Sequence, residues 1–361
     1  MGQSATVHVP GRQATRADVA RRAGVSTAVV SYVVNRGPRT VAPETAARVQ
    51  AAVEALNYRP NATARALRKG RTEMLGLVLP DIGNPFFAEY ALAIELAAAA
   101  RGYMLVVANS NADPTKEREI VGDLAGRHVD GLMLCTVSPP SDASKLAVAG
   151  RPTVFIDSAN PVPGHHALGP DSEHGSARAV EHLIVVHHIT SIVLIIGLAG
   201  DVLPDPRERG WTSAFREHGL PPGPIMRTSF SREGGHAAMT EILSWRSRPE
   251  AIFAASDQQA TGVLRAIREA GVHCPTEIAV VSFDGTMESE YCSPPLTAVR
   301  QPITAMADAA VAALLGAGPP EPSFTQFATE LVVRESCGCP WGPPRDPSVQ
   351  SVQSIQHEGV S

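Results

Sequence analysis

The 361-residue sequence has little cysteine and no long apolar run. Its cysteines are scattered and odd in number, which excludes a disulfide framework; they are Cys135, Cys274, Cys292, Cys337 and Cys339. No apolar stretch reaches the length that crosses a membrane, and residues 1–13 lack the apolar centre of a signal peptide. We therefore expect a cytoplasmic protein.

Patterns typical of enzymes are also missing. The chain has no HExxH, GxSxG or P-loop pattern, and the segment 197–200 matches a dinucleotide fingerprint poorly. The His165-His166 and His187-His188 pairs do not indicate a metal site, because adjacent side chains point in different directions. Cys337-Gly-Cys339 could be a thiol pair or half a metal site, but we find no second Cys/His pair at zinc spacing. The sequence thus predicts no enzyme, no cofactor and no metal.

Charge is distributed unevenly along the chain. The formal net charge is −5, yet residues 1–72 hold 12 Lys and Arg against three Asp and Glu, a local charge of +9. The remaining residues hold 19 basic and 33 acidic side chains, a charge of −14. A basic head on an acidic body indicates a head that contacts phosphates. The length predicts two or three domains.

Residues 15–35 have the pattern of two short helices joined by a tight turn. Thr15 and Asp18 form a near relative of the capping box, and Gly24 suits a left-handed C-cap. Ser26 is the predicted cap of the second helix, whose buried face is Val29, Val30, Val33 and Val34. This is the helix-turn-helix pattern, which places its second helix in the DNA major groove. The alternative, an αα-hairpin within a core, is disfavoured by the surrounding basic charge.

A third helix is predicted from Pro43, which completes a headpiece at 15–58. The next segment, 59–72, is too short for a helix that is stable alone in water, so we interpret it as a hinge helix that needs a partner. Residues 1–14 are predicted to be a flexible leader. Residues 339–361, rich in Pro, Ser and Gln, are predicted to be a disordered tail.

From Glu73 onward, apolar runs alternate with helical patterns, which indicates parallel sheets covered by helices. We predict strands at 74–80, 102–109, 130–135, 152–157, 191–196, 251–256 and 277–283, and helices at 86–100, 114–126, 141–149, 173–186, 207–218, 234–244 and 258–270. This alternating region, about 260 residues long, is too long for one open sheet, so we predict two doubly wound lobes. A ligand would bind between them, at the carboxyl ends of strands.

Three segments together resemble the lactose-repressor (LacI/GalR) family of bacterial transcription regulators: GVSTAVVSYVVN, NYRPNATARALRKG and LGLVLPDIGNPFF. The resemblance extends from Thr15 to about Ser336. It implies an all-α helix-turn-helix headpiece plus an α/β periplasmic-binding-protein-like body, at 73–338, of two doubly wound parallel-sheet lobes. The implied bounds are about 73–171 plus 302–323 for lobe 1, and about 172–299 plus 324–338 for lobe 2.

The resemblance implies DNA contacts on the second helix of the headpiece. Thr27 and Ala28 match exposed positions that face base edges, whereas Ser31 and Asn35 match phosphate-contacting positions. Tyr32 matches a position that is often Arg and reads a guanine, so base preference is open at that step.

The resemblance also implies that the hinge enters the minor groove of the operator. Leu67 matches an apolar wedge that opens the central base step, with Ala64 beside it. The alternative for Leu67 is a core leucine. The hinge residues for which we predict DNA contact are Asn61, Ala64, Leu67 and Arg68.

In the body, the resemblance implies an effector cleft whose side chains suit a polyol. A guanidinium and a carboxylate each bind adjacent hydroxyls, and an aromatic face covers a sugar ring. Asp257 could instead cap a helix beginning at 258, and Asp284 could be a turn residue before Gly285. The predicted effector-binding residues are Asp81, Phe86, Phe87, Arg207, Phe230, Ser256, Asp257, Asp284 and Gln301.

These features predict a homodimeric transcriptional repressor that binds a palindromic operator and responds allosterically to a small molecule, a sugar or sugar derivative. Two alternatives stay open. One is a purine- or nucleoside-responsive repressor of the same fold. The other is a sugar-binding transport protein, which the basic headpiece and the missing signal peptide disfavour.

Overall fold

The computed structural model describes residues 14–34, 40–59, 66, 70–138, 140–148, 150–198, 204–316 and 321–340. The chain divides into two compact units, residues 1–72 and 73–361. Predictions for residues 1–13 and 341–361 lie outside the described residues, as do those for Asn35, Asn61, Ala64, Leu67 and Arg68.

The headpiece contains three helices, α1 (Arg16–Ala23), α2 (Thr27–Val34) and α3 (Pro43–Ala55). The predicted ends of α1 are confirmed: Thr15 and Asp18 form a complete capping box, and Gly24 has a φ of 66°. The predicted cap of α2 is also confirmed, because the Val29 amide donates to Ser26 Oγ at 3.4 Å. The three helices enclose one small core of Val19, Ala20, Ala23, Val30, Val49, Ala52 and Tyr58.

The body alternates strands and helices. Its strands are β1 (Met74–Leu79), β2 (Met104–Asn109), β3 (Gly131–Leu134), β4 (Thr153–Phe155), β5 (His166–Pro170), β6 (Ile192–Ile196), β7 (Ile225–Arg227), β8 (Ala251–Ala254), β9 (Ala279–Asp284), β10 (Thr297–Arg300), β11 (Phe324–Phe327) and β12 (Glu330–Val332). Its helices are α4 (Pro85–Ala100), α5 (Pro114–Gly126), α6 (Pro140–Ala143), α7 (Ser172–His187), α8 (Pro206–Glu217), α9 (Arg232–Leu243), α10 (Asp257–Glu269), α11 (Glu288–Tyr291) and α12 (Ile303–Leu314).

The strands form two six-stranded sheets, one in each lobe. The order is β11-β5-β4-β3-β1-β2 in lobe 1 and β12-β10-β9-β8-β6-β7 in lobe 2. Neighbouring strands are parallel except β12, which runs antiparallel to β10. The predicted parallel architecture is therefore confirmed, with one antiparallel edge strand added.

Each sheet is covered by helices on both faces. In lobe 1, α4 and α12 pack on one face and α5 on the other. In lobe 2, α7 and α8 pack on one face and α9 and α10 on the other. No helix among the described residues combines the length and apolarity needed to cross a membrane.

The structure corrects three sequence-based boundaries. Residues 324–327 pair with β5 and belong to lobe 1, not lobe 2, so the last crossing between lobes lies between β11 and β12. The predicted helix at 141–149 is only α6 followed by a 3-10 turn at Ser144–Leu146. Cys339 is half-buried against the core of lobe 2, so it does not belong to a disordered tail.

Candidate functional site

The two sheets meet at a cleft of about 770 Å³ into which loops at their carboxyl ends project. This is the place where open parallel sheets bind ligands. Eight predicted effector-binding residues line the cleft: Asp81, Phe86, Phe87, Arg207, Phe230, Ser256, Asp284 and Gln301. The structure thus brings together residues separated by more than 200 positions in the chain, while their role in binding stays a prediction.

Asp257 is the exception, because it does not line the cleft, and its position gives the predicted effector contact no support. Its carboxylate is buried inside lobe 2, where it accepts hydrogen bonds from Ser282 Oγ at 2.6 Å and from the amide and hydroxyl of Thr286 at 2.7 Å. The alternative, a cap of the following helix, is wrong. That helix begins at Asp257 itself, and its N-cap is Ser256, which accepts from the Gln259 amide at 3.2 Å.

Arg207 is a cationic side chain that lines the cleft, and hydrogen bonds hold it in one orientation. It lies in the first turn of α8, which Asp205 caps and Pro206 opens, a favourable start for a helix. Asp205 accepts from Arg207 Nε at 2.9 Å and Nη2 at 2.8 Å, and Arg207 Nη1 donates to the Ala255 carbonyl at 3.0 Å. The guanidinium carbon lies 4.8 Å from the centre of the Phe230 ring, within cation–π range.

The pair of Arg207 and Asp205 is charged at neutral pH. Burial acts to lower the pKa of Arg207, but the adjacent carboxylate of Asp205 outweighs it and raises that pKa above its ordinary value. For Asp205, burial acts to raise the pKa, but the charge and hydrogen bonds of Arg207 lower it overall. A fixed, paired guanidinium is thus available to a ligand.

Two further carboxyl groups of the cleft have raised pKa values. Burial raises the pKa of Asp157 to about 7, although Arg207 acts in the opposite direction. Burial, and next the charge of Asp257, raise the pKa of Asp284 well above its usual range. Carboxyl groups that are protonated near neutral pH can donate as well as accept hydrogen bonds.

Both of these aspartates have unusual backbone conformations. The φ angle is 51° at Asp157 and 111° at Asp284, in a region that non-glycine residues rarely adopt. Asp284 is the last residue of β9, paired with Arg300 of β10, and not a turn residue before Gly285; it lines the cleft. Its Oδ1 accepts from Gln301 Nε2 at 3.0 Å, next to a crossing between the lobes. Strain of this kind is concentrated at functional sites.

The aromatic wall of the cleft depends on a glycine. A Cβ atom on Gly197 would lie 2.1 Å from Phe230 Cε2, so the Phe230 ring rests directly on the glycine backbone. Phe230 is 38% exposed and Leu198 79% exposed, and both line the cleft. Gly197 therefore permits close packing of an aromatic side chain rather than nucleotide binding.

Sequence reasoning missed several cleft residues, among them Asp157, Asp205, Asn84 and Ser172. A signal for two of them was present. Asp157 ends a predicted strand, and Asp205 precedes a proline at a predicted helix start, so both lay where ligand-binding loops begin. Asn84 is the N-cap of α4 and is buried, with its side chain accepting from the Phe86 amide at 3.0 Å.

The headpiece presents the start of α2 to solvent. Thr27 and Ala28 are exposed, whereas Ser31 and Tyr32 are half-buried. Arg21 and Arg22 are exposed in the last turn of α1. Exposed small side chains beside two cations suit an element that enters a DNA groove, and the individual DNA contacts stay predictions.

A helix-turn-helix headpiece followed by a two-lobed cleft protein defines the class: a DNA-binding regulator with a ligand-binding body. Residues 15–61 match the model of the bacterial regulatory proteins of the lacI family, and residues 180–337 match a periplasmic binding protein-like domain. The chain is 35% identical to the ribose operon repressor of Escherichia coli strain K12 over 307 residues, which cover 84% of this chain and 92% of that protein.

Two further comparisons agree. The chain is 34% identical to the HTH-type transcriptional repressor PurR of Pectobacterium carotovorum, over 84% of this chain and 89% of that protein. The lac repressor dimer bound to operator and the anti-inducer ONPF superposes with a TM-score of 0.80 at 28% identity, over 90% of this chain and 99% of that one. The chain belongs to the lacI family of bacterial regulatory proteins, and it is a transcriptional repressor with an effector-binding body.

Proposed function

We propose that the effector is a sugar or sugar derivative that binds in the cleft between the lobes and controls operator affinity. The observation that carries this proposal is the position of Arg207, which Asp205 holds in a fixed orientation against the Phe230 ring. A planar guanidinium and a carboxylate each bind neighbouring hydroxyls, and an aromatic face covers the C–H surface of a pyranose or furanose.

The acids of the cleft support a polyol over a purine base. Asp157 and Asp284, whose pKa values are raised, can both donate and accept hydrogen bonds, which matches sugar hydroxyl groups because each hydroxyl also does both. A purine has few donors and two broad apolar faces, so it matches these side chains less well. A purine or nucleoside is nevertheless the second candidate, because a PurR protein is among the relatives at 34% identity.

An effector in the cleft would contact the segments that connect the two lobes. Pro170, Ser172 and Gln301 line the cleft and lie where the chain passes from one lobe to the other. A ligand that contacts them favours one lobe angle over the other, which shifts the population competent for DNA.

We further propose that the protein acts as a homodimer. Two α2 helices, one from each protomer, would enter the half-sites of a palindromic operator in the bacterial cytoplasm. The lac repressor dimer bound to operator, which has a similar fold, supports this arrangement. The expected DNA contacts are Thr27, Ala28, Ser31, Tyr32 and Asn35, with Asn61, Ala64, Leu67 and Arg68 in the hinge. The proposed activity is binding alone, without a catalytic step.

A thermal-shift screen of monosaccharides, disaccharides and purine bases tests the effector class. A ligand that binds the folded state raises the melting temperature by mass action. We expect a hit among the sugars whose shift in melting temperature is reduced in Arg207→Ala at the same concentration. A hit confined to the purines would replace the sugar proposal, and a sugar hit of undiminished size in Arg207→Ala would place the ligand elsewhere.

A further inference from the structure

Four metal-binding side chains converge in lobe 2, although they come from segments about 150 residues apart. His182 and His187 lie in the last two turns of α7, and Cys337 and Cys339 lie near the end of the described chain. One ligand atom from each residue lies within 4.8 Å of all the others. This corrects the expectation that Cys337 and Cys339 have no Cys/His partner pair.

Three of the six distances between the four ligand atoms are close to those of a tetrahedral site, and the other three are at most 4.8 Å. Cys337 Sγ lies 3.5 Å from His182 Nε2, while Cys339 Sγ lies 3.6 Å from His182 Nε2 and 3.3 Å from His187 Nε2. Zinc binds Cys sulfur at about 2.3 Å and His nitrogen at about 2.0–2.1 Å, so a tetrahedral ion requires sulfur–nitrogen edges of about 3.5 Å. The three edges are thus already near the values that zinc imposes.

The backbone between the cysteines is shaped for this arrangement. Gly338 has a φ of 105°, and a Cβ atom there would lie 3.3 Å from His187 Cε1 and 3.4 Å from Nδ1. Only glycine combines that conformation with such a close approach of the imidazole. A 3-10 turn at Glu335–Cys337 and a hydrogen bond from the Gly338 amide to the Glu335 carbonyl, at 2.9 Å, fix the turn.

We propose that His182, His187, Cys337 and Cys339 bind one Zn²⁺ ion in a closed structural site. Two thiolates and two imidazoles are a donor set typical of structural zinc, and four protein ligands leave no open position for a substrate. The ion would fasten the last described segment of lobe 2 to the carboxyl end of α7.

This site is separate from the effector cleft. Ser172, at the first residue of α7, lines the cleft, whereas His187 is the last residue of that 16-residue helix, about 22 Å away. Cys337 is buried in the core of lobe 2 beside α7. Zinc therefore stabilises the lobe without contacting the effector, and the proposal holds whether or not the effector is a sugar.

Metal analysis of the full chain tests the proposal. The protein is purified under reducing conditions, stripped with chelator, given Zn²⁺ and desalted before its zinc content is measured. We expect one equivalent per chain in the wild type, and none in the double variant Cys339→Ser/His187→Asn, which keeps only two of the four ligands. Cys292→Ser and His188→Asn are the matched controls, because they change the same residue types outside the cluster, and each should retain one equivalent.

Cobalt spectroscopy provides an independent readout on the wild-type chain, in case a ligand variant fails to fold. Co²⁺ in the site should show the intense visible bands of tetrahedral cobalt and a thiolate charge-transfer band, and Zn²⁺ should abolish both. Absence of these bands would overturn the proposal. So would zinc that stays in the double variant Cys339→Ser/His187→Asn, or a Cys337–Cys339 disulfide that persists under the same reducing conditions.

Discussion

Asp205 holds the guanidinium of Arg207 through two hydrogen bonds, 2.9 Å to Nε and 2.8 Å to Nη2. The remaining terminal nitrogen, Nη1, donates to the Ala255 carbonyl. The side chain is therefore ordered before any ligand arrives, and binding does not have to overcome its conformational entropy. Such preorganisation is a reason to expect that Arg207 contributes much of the binding free energy.

Arg207→Ala should weaken effector binding by at least about tenfold, because a hydrogen bond to a charged group contributes about 1.5–3 kcal/mol. Titration calorimetry with the sugar identified by thermal shift measures the change. Arg216→Ala is the matched control, since Arg216 is exposed in the last turn of the same helix. Equal effector affinity in Arg207→Ala and Arg216→Ala would show that Arg207 does not contact the effector.

Gly197→Ala should impair effector binding by displacing an aromatic ring. The added Cβ atom would lie 2.1 Å from Phe230 Cε2, so the ring must leave its position against the cleft. Gly122→Ala is the control, because no atom lies within 4 Å of its added Cβ and alanine favours a helix by up to about 1 kcal/mol.

We expect a several-fold loss of effector affinity in Gly197→Ala and none in Gly122→Ala, measured by the same calorimetric titration. Unchanged affinity in Gly197→Ala would mean that the Phe230 ring does not contact the ligand.

The raised pKa of Asp157 predicts how stability depends on pH. The folded-state pKa is about 7, against an ordinary value of 3.8, so the folded protein holds an extra proton between these values. The contribution of Asp157 to stability therefore falls as pH rises from about 4 to 7 and levels off above the folded-state pKa. In Asp157→Asn the folded state no longer binds this extra proton, so the unfolding free energy should depend less steeply on pH. Relative to wild type, the melting temperature of the variant should gain most above pH 7, where the wild-type carboxyl group is buried in its charged form.

Urea denaturation from pH 4 to 8 measures that proton difference from the slope of the unfolding free energy. Asp142→Asn serves as the control, because Asp142 is an exposed residue in a surface ion pair with Lys145. An Asp157→Asn slope that parallels the wild type would contradict the assignment.

Tyr32→Arg should change the base preferred in each half-site. Tyr32 is half-buried on α2, one turn beyond the exposed start of that helix. An arginine there would reach a guanine with two hydrogen bonds, worth about 1–3 kcal/mol of discrimination. Selection of bound sequences from a random pool provides the measurement. The same consensus from wild type and variant would refute a reading role for this position.

Local signals predicted the headpiece well because its determinants lie a few residues apart. Thr15, Asp18, Gly24 and Ser26 act within one or two turns of a helix, and the structure confirms each predicted cap. Seven of the twelve strands described in the body were also predicted, as continuous apolar runs, whereas the buried strands β5 and β10 were missed because their apolar runs are short.

The features that sequence reasoning missed depend on long-range partners. β7, β11 and β12 are short edge strands without a fully buried residue, so they carry no apolar run. The cluster of His182 and His187 with Cys337 and Cys339 joins two pairs far apart in the chain. The histidine pair has the spacing of zinc-binding histidines, with four residues in between, a signal that was missed, whereas Cys337 and Cys339 are closer together than zinc-binding cysteines usually are. The buried hydrogen bonds of Asp257 were not predicted, because a carboxylate at a helix start suits a cap, a ligand contact or a buried hydrogen-bond network equally well.

Effector binding in the cleft is proposed to control operator affinity. Fluorescence anisotropy of the selected operator, titrated with the identified sugar, tests it most directly in the wild type and in Arg207→Ala. We predict that the sugar changes operator affinity of the wild type by about 5–150-fold, the usual range of allosteric coupling. Arg207→Ala should bind the operator as the unliganded wild type does, without a response at the same sugar concentrations. A full response in Arg207→Ala, or none in a wild type saturated with the sugar, would contradict the claim.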